Sequence, residues 1–124
     1  ADNSYDFALL HLVYHDAYWE SEKYSFPRAE PAEYLASLFR AMKPGGTVGV
    51  IDHVGPAGDA RQVVEAMHRI DPETVKADFA KAGFILEAEG DFLSDPADDH
   101  SKNVFDPAIR GKTDRFVMKF RKPA

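Results

Sequence analysis

Cysteine is absent from the 124 residues, so no disulfide staples the chain and no thiolate holds a metal. No apolar run approaches the ~18 residues that a helix needs to span a bilayer. Lys and Arg form no stripe: 15 basic residues are scattered among 21 acidic ones, a net charge of −6 with neutral histidines. That disfavours a nucleic-acid phosphate footprint. No Gly-x-Gly-x-Gly or Gly-x-Gly-x-x-Gly loop lies between a strand and a helix. The backbone therefore nowhere offers the glycine-rich cradle of a dinucleotide-type site. No internal repeat or low-complexity tract is present, and the opening Ala-Asp-Asn-Ser resembles neither an initiator nor a signal peptide.

What is present suits one small domain with a core, since 44% of the residues are hydrophobic. The chain turns on Ala41 to His53. Leu35, Leu38, Phe39 and Met42 recur at helical spacing up to that point. Pro44 cannot continue the helix, and Gly45 and Gly46 supply the positive-φ freedom that a helix end uses. Thr47 to Ile51 is then a β-branched, uncharged run, as expected for a strand covered on both faces. Helix, Pro-Gly-Gly turn and buried strand make one α-to-β step of a parallel sheet.

In chain order, Asp2 to Asp6 is turn chemistry, and Phe7 to Val13 reads as a central strand. Tyr14, His15, Asp16, Tyr18 and Trp19 follow where it ends. Ser21 to Glu30 is a polar connection or lid, and Pro31 opens the helix that runs to about Met42. Asp59 to Arg69 has helical spacing with Asp59 as N-cap, and Asp71-Pro72 starts another helix that Gly83 closes. Phe84 to Glu89 is the next strand. Asp91 to Thr113 is a long irregular segment, of a kind that is often functional. Arg115 to Arg121 alternates Phe116, Met118 and Phe120 against polar positions, a strand with one buried face.

An aromatic-rich strand, then Leu-Phe-Arg-Ala-Met-Lys-Pro-Gly-Gly-Thr, then a hydrophobic strand resembles the middle of a class I S-adenosylmethionine-dependent methyltransferase. The resemblance implies an α/β fold: the C-terminal half of a Rossmann-like sheet, with parallel strands and a final antiparallel strand slotted between the fifth and sixth. The glycine-rich loop and the acidic residue that hold the cofactor in that family are not in this sequence. Residues 1–124 are thus expected to be a single domain, a fragment without its cofactor-binding N-terminal half. S-adenosylmethionine is the cofactor implied for the full-length protein, with binding by this chain alone doubtful. Methyl transfer to an unknown small-molecule acceptor is the function implied. The alternative is a non-catalytic α/β binding or assembly module. The strand at Phe7–Val13 would lack its usual neighbour, so homodimerisation or domain swapping through that edge is expected. His68-Arg69-Ile70-Asp71-Pro72 and the stretch from Asn103 to Phe116 also resemble a group of bacterial methyltransferases of unknown substrate. Some of that group carry export signals, so a cytoplasmic location is expected with a periplasmic one as the alternative. No partner of nucleic acid or membrane is expected.

Methyl transfer is an in-line displacement at a sulfonium methyl, for which the protein aligns the acceptor and takes its proton. His15 and Asp16 lie just past the end of a sheet strand, where open α/β sheets place ligands, and His53 ends the neighbouring strand. These three are the catalytic candidates. The resemblance places Asp2 and Tyr14 near the cofactor. Tyr18, Trp19, His68, Arg69, His100 and Arg110 are candidates for the acceptor pocket. Each has a plain structural reading beside it: aromatic core packing for Tyr14, Tyr18 and Trp19, a surface charge for Arg69, a solvated acidic loop around His100, and a loop-to-sheet tie for Arg110, Asp114 and Arg115. A metal held by His15, His53 and His100 has no ligand spacing in its favour, and none is expected.

Overall fold

The computed structural model describes residues 2–124. Four strands, β1 (Tyr5–His11), β2 (Met42–His53), β3 (Ile85–Gly90) and β4 (Arg115–Arg121), form one sheet in the order β1-β2-β4-β3. β1 runs parallel to β2, and β4 is antiparallel to both of its neighbours. Three helices, α1 (Pro31–Ala41), α2 (Ala60–Met67) and α3 (Pro72–Ala82), accompany a single 3-10 turn at Tyr14–Tyr18. No helix is long and apolar enough to cross a membrane among the described residues.

Local chemistry sets these boundaries. Pro31 opens α1 without losing a needed N–H. The Asp59 carboxylate accepts the Gln62 N–H at the start of α2, and the Asp71 carboxylate accepts the Glu73 N–H at the start of α3. α3 ends at Gly83. α1 and α3 pack together over one face of the sheet, where Leu35, Val75 and Phe79 meet Val48, Val50, Met118 and Phe120. Phe79 stacks on Phe120 with ring centroids 4.2 Å apart. The alternation read in Arg115–Arg121 is realised residue by residue, with Phe116, Met118 and Phe120 all buried.

Four expectations are corrected. The first strand runs from Tyr5 to His11 rather than Phe7 to Val13, because Leu12 adopts a left-handed φ of 59° while its N–H still reaches the Ile51 carbonyl. β2 begins at Met42 rather than Thr47. Tyr5 sits opposite Met42, and the turn is held by N–H bonds from Gly45 to the Lys122 carbonyl and from Lys122 to the Gly46 carbonyl. Gly45 takes the positive φ, 83°, and Gly46 does not. Nor is β2 covered on both faces: Val48, Val50 and Asp52 are buried, whereas Thr47, Gly49 and Ile51 are only partly so. On that second face Phe7 and Leu9 lie beside Gly49 and remain 59% and 54% exposed.

Candidate functional site at the ends of the parallel strands

β1 and β2 end on the same side of the sheet. The left-handed turn at Leu12 bends the chain there and carries the 3-10 turn across the end of β2. For a bulky residue this backbone is uncommon, and such strain tends to sit at functional sites. The turn delivers His15 to Asp52. The His15 backbone N–H donates to Asp52 Oδ2 at 2.9 Å, and His15 Nδ1 lies 2.8 Å from Asp52 Oδ1. Asp52, fully buried, also accepts the His53 N–H at 2.8 Å. A buried carboxylate that takes this many N–H groups is well satisfied.

With Nδ1 committed to Asp52, the other ring nitrogen of His15, Nε2, lies 3.2 Å from Asp16 Oδ1. Burial pulls the His15 pKa down, but the hydrogen bond and charge of Asp52, with Asp16, outweigh it and the net shift is upward. Burial raises the Asp16 pKa, with His15 partly offsetting it. His15 Nε2 and Asp16 Oδ1 thus stand side by side on the 3-10 turn. Asp52, which the sequence analysis did not single out, is the carboxylate that fixes the ring.

His53 is buried, with Nδ1 2.6 Å from Thr113 Oγ1. Burial lowers its pKa to about 4, so it is neutral near pH 7. His68 follows the end of α2 in the left-handed conformation, φ 54°. Its ring packs against Trp19, Phe105 and His15, at centroid distances of 5.4, 5.3 and 5.8 Å. The expected catalytic trio of His15, Asp16 and His53 thus gathers in one place, joined by His68 and Trp19 from the acceptor-pocket candidates.

The remaining candidates fall elsewhere. Tyr14 is fully buried and donates its hydroxyl to Asp78 at 2.8 Å, and the Tyr18 hydroxyl bonds the same carboxylate. Tyr14 is a packing residue, whereas Tyr18 is half-buried and lines an open cavity with Phe26, Arg28 and Arg61, and Asp78 is a partner that sequence reasoning missed. Asp2 is exposed at the N-terminal end of β1, the opposite end of the strand from His15. Arg69 is neither a surface charge nor open to an acceptor. Its side chain is fully buried, bidentate to Asp98 at 2.7 and 2.8 Å, and donates to the carbonyls of Val54 and Lys102. His100 Nε2 lies 2.8 Å from Asp114 Oδ2, so the structure engages it with the loop tie rather than with His15 and His53. Arg110 is exposed over the Phe105 ring, and the loop-to-sheet tie is made by Asp114, with the Arg115 N–H reaching the Leu93 carbonyl.

Neither a protein-family model nor a curated protein matches the chain. Solved structures do. A candidate methyltransferase of Bacillus halodurans superposes with a TM-score of 0.61 at 20% identity, covering 100% of this chain and 67% of that one. The 1,6-didemethyltoxoflavin-N1-methyltransferase of Burkholderia thailandensis, solved with 1,6-didemethyltoxoflavin and S-adenosylhomocysteine, gives 0.56 at 14%, covering 100% and 46%. The fold is that of the class I S-adenosylmethionine-dependent methyltransferases. The [4+2]-cyclase SpnF shares it at 0.58 and 17%, covering 99% and 51%, so the fold leaves the reaction open. The chain spans about half to two thirds of the length of these structures.

The described residues do not by themselves fit S-adenosylmethionine. Asp2 and Tyr14, expected on the cofactor side, are respectively remote from the crevice and closed into the core. What the arrangement provides is a buried histidine fixed by Asp52, with Asp16 at its second ring nitrogen and the Trp19 and His68 rings beside it.

Proposed function

We propose that this chain forms the acceptor side of an S-adenosylmethionine-dependent methyltransferase, with the methyl donor held by residues outside these 124. The carrying observation is the His15–Asp52 pair, set where the parallel strands β1 and β2 end in a class I methyltransferase fold. In this reading Asp52 fixes the His15 ring, and Nε2 together with Asp16 takes the proton of the acceptor's hydroxyl or amine as it reacts. Trp19 and His68 wall the acceptor, and neutral His53 with Thr113 closes the floor. Calorimetric titration of S-adenosylmethionine into this chain, and into a version extended at its N-terminus, tests the reading. The expected result is no binding to the chain and micromolar-range binding to the extended protein. A second reading, a non-catalytic binding or assembly module, is favoured by the exposed apolar residues of β1. An extended protein that ignores the methyl donor would select it.

A further inference from the structure

His15, Asp16 and His68 each bring one possible ligand atom to within 4.8 Å of the other two, the one such convergence of three His, Asp or Glu side chains among the described residues. They come from separate places. The first two sit on the 3-10 turn after β1, and the third is the residue that ends α2. Asp52 occupies His15 Nδ1 and so leaves Nε2 as the free nitrogen, the carboxylate–histidine arrangement that commonly stands behind a metal ligand. His68 is held in a left-handed conformation, uncommon for a non-glycine residue, and its ring is fixed by Trp19 and Phe105. Carboxylate oxygens of Asp52 and Asp16 lie 2.8 and 3.2 Å from the two His15 ring nitrogens, a setting that suits a cation. His15 is buried, while Asp16 and His68 are half-buried, so the group opens on one side.

We propose that His15 Nε2, Asp16 and His68 bind one divalent transition-metal ion of the zinc class. Two imidazoles and one carboxylate form the mixed nitrogen and oxygen donor set that such ions take, and three protein ligands leave a position open toward the crevice. The ion binds neutral imidazoles and an ionised carboxylate, so affinity falls as pH drops. With the ion in place His15 serves as a ligand, and the ion polarises an oxygen or nitrogen of whatever enters the open position. The proposal stands apart from the methyl-transfer reading, because every ligand lies in this chain and binding needs no methyl donor.

The test is Co²⁺ alone, added to the chelator-treated 124-residue chain and followed by visible absorption and calorimetry. The expected result is one ion per chain with d–d bands and release of a proton. His68→Asn, chosen because Asn tolerates the left-handed backbone, and Asp16→Asn each weaken binding at least about tenfold. Asp52→Asn weakens it by about 10- to 100-fold through the loss of its hold on His15. His11→Ala, on the exposed β1 position, binds as the parent does. Co²⁺ also raises the melting temperature of the parent and not of the Asp16→Asn chain, a readout that stands even where His68→Asn folds poorly. Failure of saturable binding overturns the proposal, as does binding that Asp16→Asn leaves unchanged or that His11→Ala abolishes equally. Since the titration contains no S-adenosylmethionine, a negative result leaves the methyl-transfer reading standing.

Discussion

Asp52 shows how much one side chain decides here. Its two oxygens take the His15 N–H and the His53 N–H and lie against His15 Nδ1, all without solvent. Burial alone would drive the His15 proton off, and it is the Asp52 contact, with Asp16, that reverses the shift. Asp52→Asn keeps the shape and removes the charge, so the His15 pKa should fall, because burial then acts with less to oppose it. An NMR titration of the His15 ring protons across pH 5 to 9 checks this, and an unmoved pKa would mean that Asp52 does not govern the ring. The consequence for stability has a definite sign. A raised His15 pKa adds stability below the ordinary histidine value that is lost as pH rises through the folded pKa. In the Asn variant that alkaline loss should shrink.

Among the elements, the segment from 91 to 114 is fastened to the sheet through Arg69 and Asp98. Arg69 reaches Asp98, the Val54 carbonyl at the end of β2 and the Lys102 carbonyl, while Asp98 also accepts N–H groups from His100 and Asp114. Removal of one partner from a buried ion pair strands the other, so Arg69→Ala should cost about 3–5 kcal/mol by urea melts near neutral pH. Burial alone would raise the Asp98 pKa, but Arg69 and the two backbone N–H groups outweigh it and bring the value to about 2. The stability from this depressed carboxylate is present above the ordinary Asp range near ~3.9 and drains away as pH falls toward the folded value. The gap between the parent and Arg69→Ala should therefore narrow between pH 5 and 2.5, and a gap that stayed constant would show that the carboxylate charge is not what the latch depends on. Local chemistry made much of this level readable from the sequence. The caps at Asp59 and Asp71, Pro31, Gly83 and the alternation of β4 each act over a few residues. The latch was not readable, because Arg69 and Asp98 meet across 29 positions and each alone looks like a solvated charge. His15 and Asp52 escaped in the same way across 37: position past a strand end flagged the histidine, but nothing in a strand's spacing marks its last carboxylate as buried.

At the scale of the whole molecule the sheet is finished on one side only. α1 and α3 seal the face that carries Val48, Val50, Met118 and Phe120, whereas Tyr5, Phe7 and Leu9 of β1 stand 56%, 59% and 54% exposed on alternating positions. β1 is also the end strand of the sheet, with β2 its one hydrogen-bonded neighbour among the described residues. An apolar strand that presents both a bare edge and a bare face is a template for another chain. The domain should therefore self-associate through β1 at micromolar concentrations, by edge pairing or by exchange of elements between copies. Leu9→Lys and Phe7→Lys each place a charge at the contact without touching the sealed face, and each should weaken association at least about tenfold, roughly 1.4 kcal/mol. Their melting temperatures, read at dilutions where the parent is dissociated, should stay close to that of the parent. Sedimentation equilibrium of the three proteins decides it. A parent chain that stays monomeric at a hundred micromolar would show that β1 does not recruit a copy, and association indifferent to both lysines would place the contact on another surface.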